Sequence, residues 1–507
     1  MSFLVSNAAP IVVAAVVSAL GWMFGGTKGS VLTPVMPWLI FLMVEIAMCF
    51  PQRHANETTY EARERVWRDI KRDPLTWVSA GFLVLLLVPF VNNGLCVDCD
   101  IDLVSQGVDP RPAVPFLPFC VSRLDHLNVV LWFFTALPAV VVVRHCLVAR
   151  GKRLMLALVV WNGALLALLG FVQHALDAPG PLWSEASDLL HRPGVQAKVG
   201  EFFSTFGYTN MAGAYFTLLF GISVAMWRDS RLRVSQGRAQ KDISAAAAKR
   251  PHSFWEGNHF LIPSVICFYG ALNSLSRAAI LLATASAVVY ILHAFASYLA
   301  RLRKKVAKVR ALAFGLLGIA MLMFVASLFI PVGLQKEVES LETAEMLDRV
   351  SGREQYLSRV ATELWKDNKL FGCGGWGFAH FTRQKLLPGE NVQEIGGINV
   401  HNDYLQFLAE HGLVGFGLLV SVVVMLVWPI CRLWRRLVRD ARFVKPKDLP
   451  ARPVQIFVLP APLFCVFVAG ACVLIHAFGD CPFRSPAILT LFLVMLSAMP
   501  GFLPEKG

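Results

Sequence analysis

The feature that constrains this chain most is its series of long apolar segments. About twelve runs are long enough, or nearly so, to cross a hydrocarbon core that is about 30 Å thick. Backbone groups in hydrocarbon must be bonded within their own segment, and the runs lack the alternation of a barrel. The sequence therefore predicts an all-α integral membrane protein with about twelve transmembrane helices. They are expected near residues 8–24, 33–50, 75–91, 127–147, 154–174, 208–227, 259–274, 278–298, 310–331, 413–434, 455–477 and 485–503.

Basic residues predict the orientation of these helices. About thirty of the 47 Lys and Arg residues lie in alternate loops, which the positive-inside rule places in the cytoplasm. These loops explain the formal net charge of +13, so no nucleic-acid partner is expected. Both termini are then cytoplasmic, and the 332–411 loop is periplasmic. The basic loops span residues 53–72, 150–153, 228–250, 301–310 and 432–452.

Three parts follow from this topology. Residues 1–331 hold helices one to nine, with residues 228–258 interpreted as a mobile cytoplasmic linker. Residues 332–411 form the only extramembrane segment of domain-like size, and residues 412–507 hold the last three helices. The first apolar run lacks a basic n-region, so it is interpreted as a retained helix rather than a signal peptide.

Five cysteines lie in predicted outer loops, where an oxidising compartment permits disulfides. A single C-x-x-C without a second pair is a weak zinc signal. We therefore expect a disulfide within this group and no metal. The five are Cys96, Cys99, Cys120, Cys373 and Cys481.

Polar residues at the bilayer edge form the first candidate site. His401 opens the segment that enters the tenth apolar run, Arg277 lies in Leu275-Ser-Arg-Ala278, and Arg353 lies at the start of a helix predicted over 354–366. Guanidinium groups present a fork that fits phosphate oxygens, and histidine exchanges a proton near neutral pH. Together they suit a diphosphate leaving group and a hydroxyl nucleophile that needs a base.

Each of these residues also has a structural alternative. Arg277 could instead anchor its helix by extending its charged group to the membrane surface. Arg353 could instead form an ion pair with Glu345 or Asp348. A lone histidine at a helix start, such as His401, is commonly a cap or a surface residue.

Helical phase separates His401 from the polar residues that follow it. At 3.6 residues per turn, Asn402, Gln406 and Glu410 share one stripe, whereas His401 projects from the first turn. We expect Gln406 and Glu410 to face the interior and support the structure.

The glycine-rich stretch 372–378 does not resemble a nucleotide loop, because no strand precedes it. It is predicted to form a tight turn, with Trp376 and Phe378 packing on the membrane surface.

In their order along the chain, these motifs resemble the O-antigen ligase and polymerase superfamily. Four elements carry the likeness: Leu275-Ser-Arg-Ala, Gly352-Arg, the turn Gly372-x-Gly374, and His401-Asn-x-Tyr-Leu-Gln-x-x-x-Glu-x-Gly-x-x-Gly415. A looser fifth element is Thr205-Phe-Gly-Tyr-Thr-Asn-Met-Ala212.

The resemblance implies a GT-C-like, inverting glycosyltransferase of the bacterial inner membrane that needs no metal or other cofactor. Its donor would be a glycan on undecaprenyl diphosphate, and its active site would face the periplasm. Arg277 and Arg353 would hold the diphosphate, and His401 would activate the acceptor hydroxyl. Possible supporting residues are Asn210, Asn402, Tyr404, Gln406 and Glu410.

Several functions remain open at this point. The acceptor is lipid A core in a ligase, another glycan in a polymerase, and a protein in an O-oligosaccharyltransferase. A solute transporter is the alternative class, but transporters show repeated halves with helices broken at the midplane. No such repeat is visible in this sequence.

The charge pattern makes a topology prediction. A reporter fused near residue 240 should show a cytoplasmic location, and one near residue 340 a periplasmic one, because basic loops stay inside. Dual reporters active on opposite sides of the membrane would measure this. The opposite result at either position would overturn the placement of the 332–411 loop.

Overall fold

A computed structural model describes residues 5–23, 25, 29–92, 112–176, 202–243, 255–301, 344–382, 399–443 and 459–503. Side chains are outside this description at 29–34, 236–243, 300–301, 344–355 and 437–443. The described residues form helices and no strand, apart from an isolated bridge between Phe203 and Phe206.

The helices follow the predicted apolar runs closely. In chain order they are α1 Ala8–Trp22, α2 Gly29–Cys49, α3 Thr59–Arg72, α4 Pro74–Val91, α5 Arg123–His145, α6 Ala149–Ala175, α7 Thr209–Ile243, α8 Leu261–Asn273, α9 Arg277–Arg301, α10 Ala344–Asp367, α11 Gly377–Phe381, α12 Asp403–Phe443, α13 Ala461–Gly479 and α14 Pro486–Ala498. Short 3₁₀ turns cover Pro482–Arg484 and Met499–Phe502.

Within the described residues, 7 helices are long and apolar enough to cross a membrane. Shorter apolar helices add Ala8–Trp22, Val35–Cys49, Leu261–Asn273 and Pro486–Phe502. The predicted class, a multi-pass α-helical membrane protein, is therefore confirmed. The predicted span at 310–331 lies outside the described residues, so the number of twelve stays a prediction.

Helix α7 is the centre of the bundle and packs against α8 and α13. Small residues allow this close approach. A Cβ added at Gly221 would lie 2.4 Å from the Cβ of Ala469 on α13. Near the start of α7, a Cβ added at Gly213 would lie 2.4 Å from Ala279 and 2.6 Å from the Ser274 hydroxyl. The first turns of α7 and α9 are therefore held together.

The predicted cytoplasmic loops at 53–72 and 150–153 lie at the same end of the bundle, which we call the basic end. Gln52 accepts a hydrogen bond from the Val148 amide at 3.2 Å and approaches Asn7, before α1, at 3.4 Å. Arg153 donates to the Gly501 carbonyl at 2.6 Å. Both ends of the described chain thus lie at the basic end, as the charge pattern predicts.

The interpretation of 228–258 as a linker is wrong for its first half. Helix α7 continues unbroken to Ile243, through a stretch with four arginines and two glutamines, residue types that favour helix. An ion pair between Asp229 and Arg233, 2.7 Å apart, supports this extension. Charged residues here indicate an exposed helix rather than a loop.

Helix α3 likewise replaces part of a predicted basic loop. Thr58 and Glu61 form a capping box at its start. Its Ala62 and Val66 are buried, whereas Tyr60 and Trp67 are exposed. Aromatic side chains of this kind are typical of a helix in the membrane interface.

The opposite end of the bundle, the outer end, carries a second small hydrophobic core. It joins α10, α11 and the start of α12 through Leu364, Phe378, Val400 and Ala409. Phe378 is fully buried, so the prediction that it packs on the membrane surface is wrong. Trp376 is half-buried and packs against Trp132.

The cysteine prediction is not met at Cys373 and Cys481, whose buried thiols are free. Cys120 is also buried, and a disulfide elsewhere in the group of five stays a prediction. Cys96 and Cys99 lie outside the described residues.

Two glycine-rich segments cross at the outer end with their backbones in contact. The amides of Cys373 and Gly374 donate to the carbonyls of Ala409 and Glu410 at 3.0 and 2.8 Å. A Cβ added at Gly372 would lie 2.2 Å from the Glu410 carbonyl carbon, and one at Gly412 would lie 2.3 Å from that of Leu370. Only glycine permits this crossing, which also breaks α12 at Gly412.

Replacing Gly372 by alanine should destabilise the protein. Its φ of +71° costs an alanine about 1–2 kcal/mol, and the contact with Glu410 adds to this. Gly417→Ala is the matched control, since nothing lies within 4 Å of its added Cβ, and a helical alanine gains roughly 0.5–1 kcal/mol. Thermal denaturation in detergent measures both. Equal melting temperatures for Gly372→Ala and the parent would contradict the crossing.

Candidate functional site

The candidate site lies at the outer end, where His401 meets Asp480. His401 has a left-handed backbone, with φ 57°, and precedes α12. Asn402 caps that helix by accepting from the Leu405 amide at 3.1 Å. The His401 Nδ1 lies 3.1 Å from the Asp480 Oδ1.

Asp480 ends α13 and is surrounded by hydrogen-bond donors. Its Oδ1 accepts from the Cys481 amide at 2.8 Å, and the Tyr208 hydroxyl lies 3.4 Å from both carboxylate oxygens. Burial raises the pKa of Asp480, but the hydrogen bond and charge of His401, helped by His476, outweigh it and hold that pKa below its usual value. The carboxylate is therefore ionised at neutral pH.

An ionised carboxylate accepts hydrogen bonds but cannot donate them. The proton shared by His401 Nδ1 and Asp480 is therefore assigned to Nδ1, so in its neutral form the ring carries its lone pair on Nε2. This is the arrangement that a histidine base requires.

Tyr208 supports the same carboxylate from α7. Burial raises the pKa of Tyr208, and the nearby charge of Asp480 raises it further, so the phenol remains a neutral donor. The Asn210 amide in turn donates to the Tyr208 hydroxyl at 2.8 Å. The predicted supporting residue Asn210 therefore lies two hydrogen bonds from Asp480.

A second histidine–carboxylate pair shows why exposure distinguishes His401. His380 lies 2.9 Å from Asp125, but the His380 side chain is only 3% exposed and that of Asp125 is 41% exposed. In the first pair the order is reversed, with His401 24% exposed and Asp480 4% exposed. Among the histidine–carboxylate pairs of the described residues, only that of His401 has an imidazole more exposed than its carboxylate and accessible to a ligand.

Arg277 starts α9 two residues after Leu275, whose φ is 58°. Ser274 and Ser276 beside it are buried against the start of α7. The first turns of α7 thus adjoin the segment that carries Arg277, and the preceding Tyr208 contacts Asp480. Arg277 and His401 therefore belong to the same end of the bundle.

Arg353 lies in the interior of a helix, not at the start of one. Helix α10 begins at Ala344, so the prediction of a helix start at residue 354 is wrong. Its side chain lies outside the described residues. One turn later, Tyr356 and Leu357 join the small core that contains Val400, which places the Arg353 segment beside the His401 segment.

The polar stripe of α12 is structural, as its phase predicted. Gln406 is fully buried and donates to Glu410 at 3.2 Å. Glu410 forms an ion pair of 2.5 Å with Arg484, whose guanidinium lies 5.2 Å from the centre of the Trp376 ring. This cluster joins α12, the glycine turn and the 482–484 turn.

Two further residues of the motif anchor α12 to the segment around Asp480. Tyr404 donates to the Leu474 carbonyl at 2.7 Å, and Asp403 accepts from the Phe483 amide at 2.7 Å. The prediction of a supporting role for Tyr404 matches this position.

A metal ion has one potential set of ligands here. Ligand atoms of His401, Asp480 and Cys481 lie within 4.8 Å of one another, a donor set that Zn²⁺ accepts. Burial raises the pKa of the Cys481 thiol well above its usual value, so metal binding there would have to displace a proton. Asp403 and Glu410 are already bonded to other groups.

Sequence reasoning missed Asp480, Tyr208 and Arg484. The available signal was Asp480-Cys-Pro-Phe-Arg484, a polar turn between the last two apolar runs. Nothing local connects it to His401, which is 79 residues away.

The described helices and this polar site define a multi-pass membrane protein with a titratable centre at one end of its bundle. Residues 262–420 match the Wzy_C family model, described as O-antigen ligase. The match includes Arg277, Arg353 and His401 and confirms the resemblance to the O-antigen ligase family over this region. A search of curated proteins found no match.

Proposed function

We propose that this protein is an O-antigen ligase-like membrane glycosyltransferase. It transfers a glycan from undecaprenyl diphosphate to an acceptor hydroxyl on the periplasmic side of the bacterial inner membrane. The observation that carries the proposal is the partly exposed His401 imidazole, which lies 3.1 Å from the buried carboxylate of Asp480.

The proposed reaction needs a base, and the pair of His401 and Asp480 can supply one. A sugar hydroxyl is a poor nucleophile near neutral pH, so its proton must be removed as it attacks. His401 Nε2 accepts that proton, and Asp480 stabilises the imidazolium that forms. The acceptor oxygen bonds to the anomeric carbon while the bond from that carbon to the diphosphate oxygen breaks, so the configuration inverts.

Arginine side chains can stabilise the diphosphate leaving group of this reaction. The departing diphosphate keeps the electron pair of the broken bond, and Arg277 and Arg353 offset its negative charge with bidentate hydrogen bonds. The position of Arg277 at the start of α9, at the same end as His401, supports this role. For Arg353 the support is the packing of its helix beside Val400.

The location of the site also argues against a solute transporter. Transporter sites lie near the bilayer midplane, between broken helices. His401 and Asp480 instead lie at the ends of α12 and α13. Product analysis identifies the acceptor: lipid A core in a ligase, a longer lipid-linked glycan in a polymerase, or a glycosylated protein.

His401→Gln should reduce transfer roughly 10²–10⁴-fold, because an amide cannot accept the proton. Consumption of purified lipid-linked donor, with membranes as the source of acceptor, measures the rate. His380→Gln is the matched control, since it removes an equivalent histidine paired with a carboxylate outside the proposed site. Parent-like turnover by His401→Gln would leave His401 only an acceptor-positioning role.

Asp480→Asn should also slow transfer, because a neutral amide cannot stabilise the imidazolium that forms when His401 accepts the proton. The assay used for His401→Gln measures the rate. Parent-like turnover would show that Asp480 only supports the fold.

The same assay with EDTA tests the metal-free mechanism. Inhibition would overturn that mechanism and make His401, Asp480 and Cys481 the candidate metal ligands.

Arg277→Ala should abolish transfer while the protein remains folded in the membrane, and Arg277→Lys should recover only part of the rate. A lysine is a point charge and cannot hold two phosphate oxygens in one plane. Donor binding and turnover are measured together in detergent. Full activity of Arg277→Ala would reduce this arginine to a membrane anchor.

A further inference from the structure

An apolar groove lies at the basic end of the bundle, far along the helices from the proposed active site. It has a volume of about 280 Å³ and is walled by the ends of α2 and α5, the start of α4, and the last turns of α3. Met48, Trp67, Leu83 and Val141 provide much of its surface. A hydrocarbon chain fits such a lining, because it needs no polar partner.

Two hydroxyl groups in this wall have no hydrogen-bond partner. Ser79 is 3% exposed, and neither its hydroxyl nor that of Thr76 bonds to any described residue. Both residues line the groove from the first turns of α4. Both oxygens are closed off from the groove by the packing around them, so the surface that a ligand meets there is apolar.

The positively charged side chain of Lys71 lies next to the same groove. The Lys71 ammonium lies 4.8 Å from the centre of the Trp67 ring, which forms part of the wall. Among the described residues, no carboxylate forms an ion pair with Lys71. The nearby Asp73 is engaged by Arg144 and His145, so the positive charge at the groove is not neutralised.

We propose that this groove binds an anionic phospholipid of the leaflet at the basic end. One acyl chain occupies the groove, and the phosphate lies against Lys71. The exposed aromatic and basic side chains of α3 suit the headgroup layer. The site would fix α3 and the ends of α2, α4 and α5 relative to the bilayer.

Native mass spectrometry of the full chain in detergent tests this proposal, with phosphatidylglycerol and phosphatidylcholine of identical acyl chains as probes. The parent should retain phosphatidylglycerol more strongly. Lys71→Gln should weaken phosphatidylglycerol binding about fivefold, the effect of one basic residue at an anionic surface, and should leave phosphatidylcholine unchanged. Arg432→Gln is the matched control, since Arg432 also stands over a tryptophan, Trp428 at 5.3 Å, but outside the groove.

A second pair of variants tests the groove itself. Ala80→Phe places a ring inside it and should abolish retention of both lipids. Gly81→Phe adds the same ring where nothing lies within 4 Å and should bind like the parent. Equal retention of the two lipids by the parent, or parent-like binding by both Lys71→Gln and Ala80→Phe, would overturn the proposal.

Discussion

The crossing of two backbones at Gly372 and Gly412 is the constraint on which the outer end depends. Amides of the 373–374 turn bond to the carbonyls at the end of the first half of α12, and the chain then turns at Gly412. A helix end buried without such partners is unfavourable. Because the turn supplies them, the short helix that follows His401 can stand apart from the membrane-spanning half of α12.

Once that helix is fixed, polar contacts set the position of the imidazole. Gln406 and Glu410 hold the inner face of the helix, and Arg484 connects Glu410 to Trp376. A buried ion pair is costly unless both charges are well bonded, and here it ties three chain segments into one arrangement. The turn that supplies Arg484 also supplies Asp480, so the same packing places the carboxylate behind His401.

The two ends of the bundle have different chemistry. The outer end concentrates histidine, carboxylate and arginine in packed turns, which suits charge development in a reaction. The basic end has exposed cations, interfacial aromatics and an apolar groove, which suits contact with lipid. The family match covers only residues 262–420, whereas Asp480 and the groove lie outside it, so the structure adds features that the motifs do not contain.

The sequence by itself determined the class of the protein, the places of its apolar helices and the position of the basic loops 53–72 and 150–153 at one end. These depend on local properties: hydrophobic length, helix phase and charge. Helix phase also separated the buried Gln406 and Glu410 from His401. The charged stretch 228–243 has few apolar residues and was misread as a linker, because polar helices give only a weak hydrophobic signal.

Tertiary structure alone decided which distant groups meet. Asp480 joins His401 across 79 residues, and no periodicity encodes that pairing. Likewise, Phe378 is buried because α10 and α12 enclose the glycine turn. The roles of Gly372 and Gly412 depend on each other, since each leaves room for the backbone of the opposite segment. Local pattern specifies helices, but a site is assembled by packing between elements far apart in the chain.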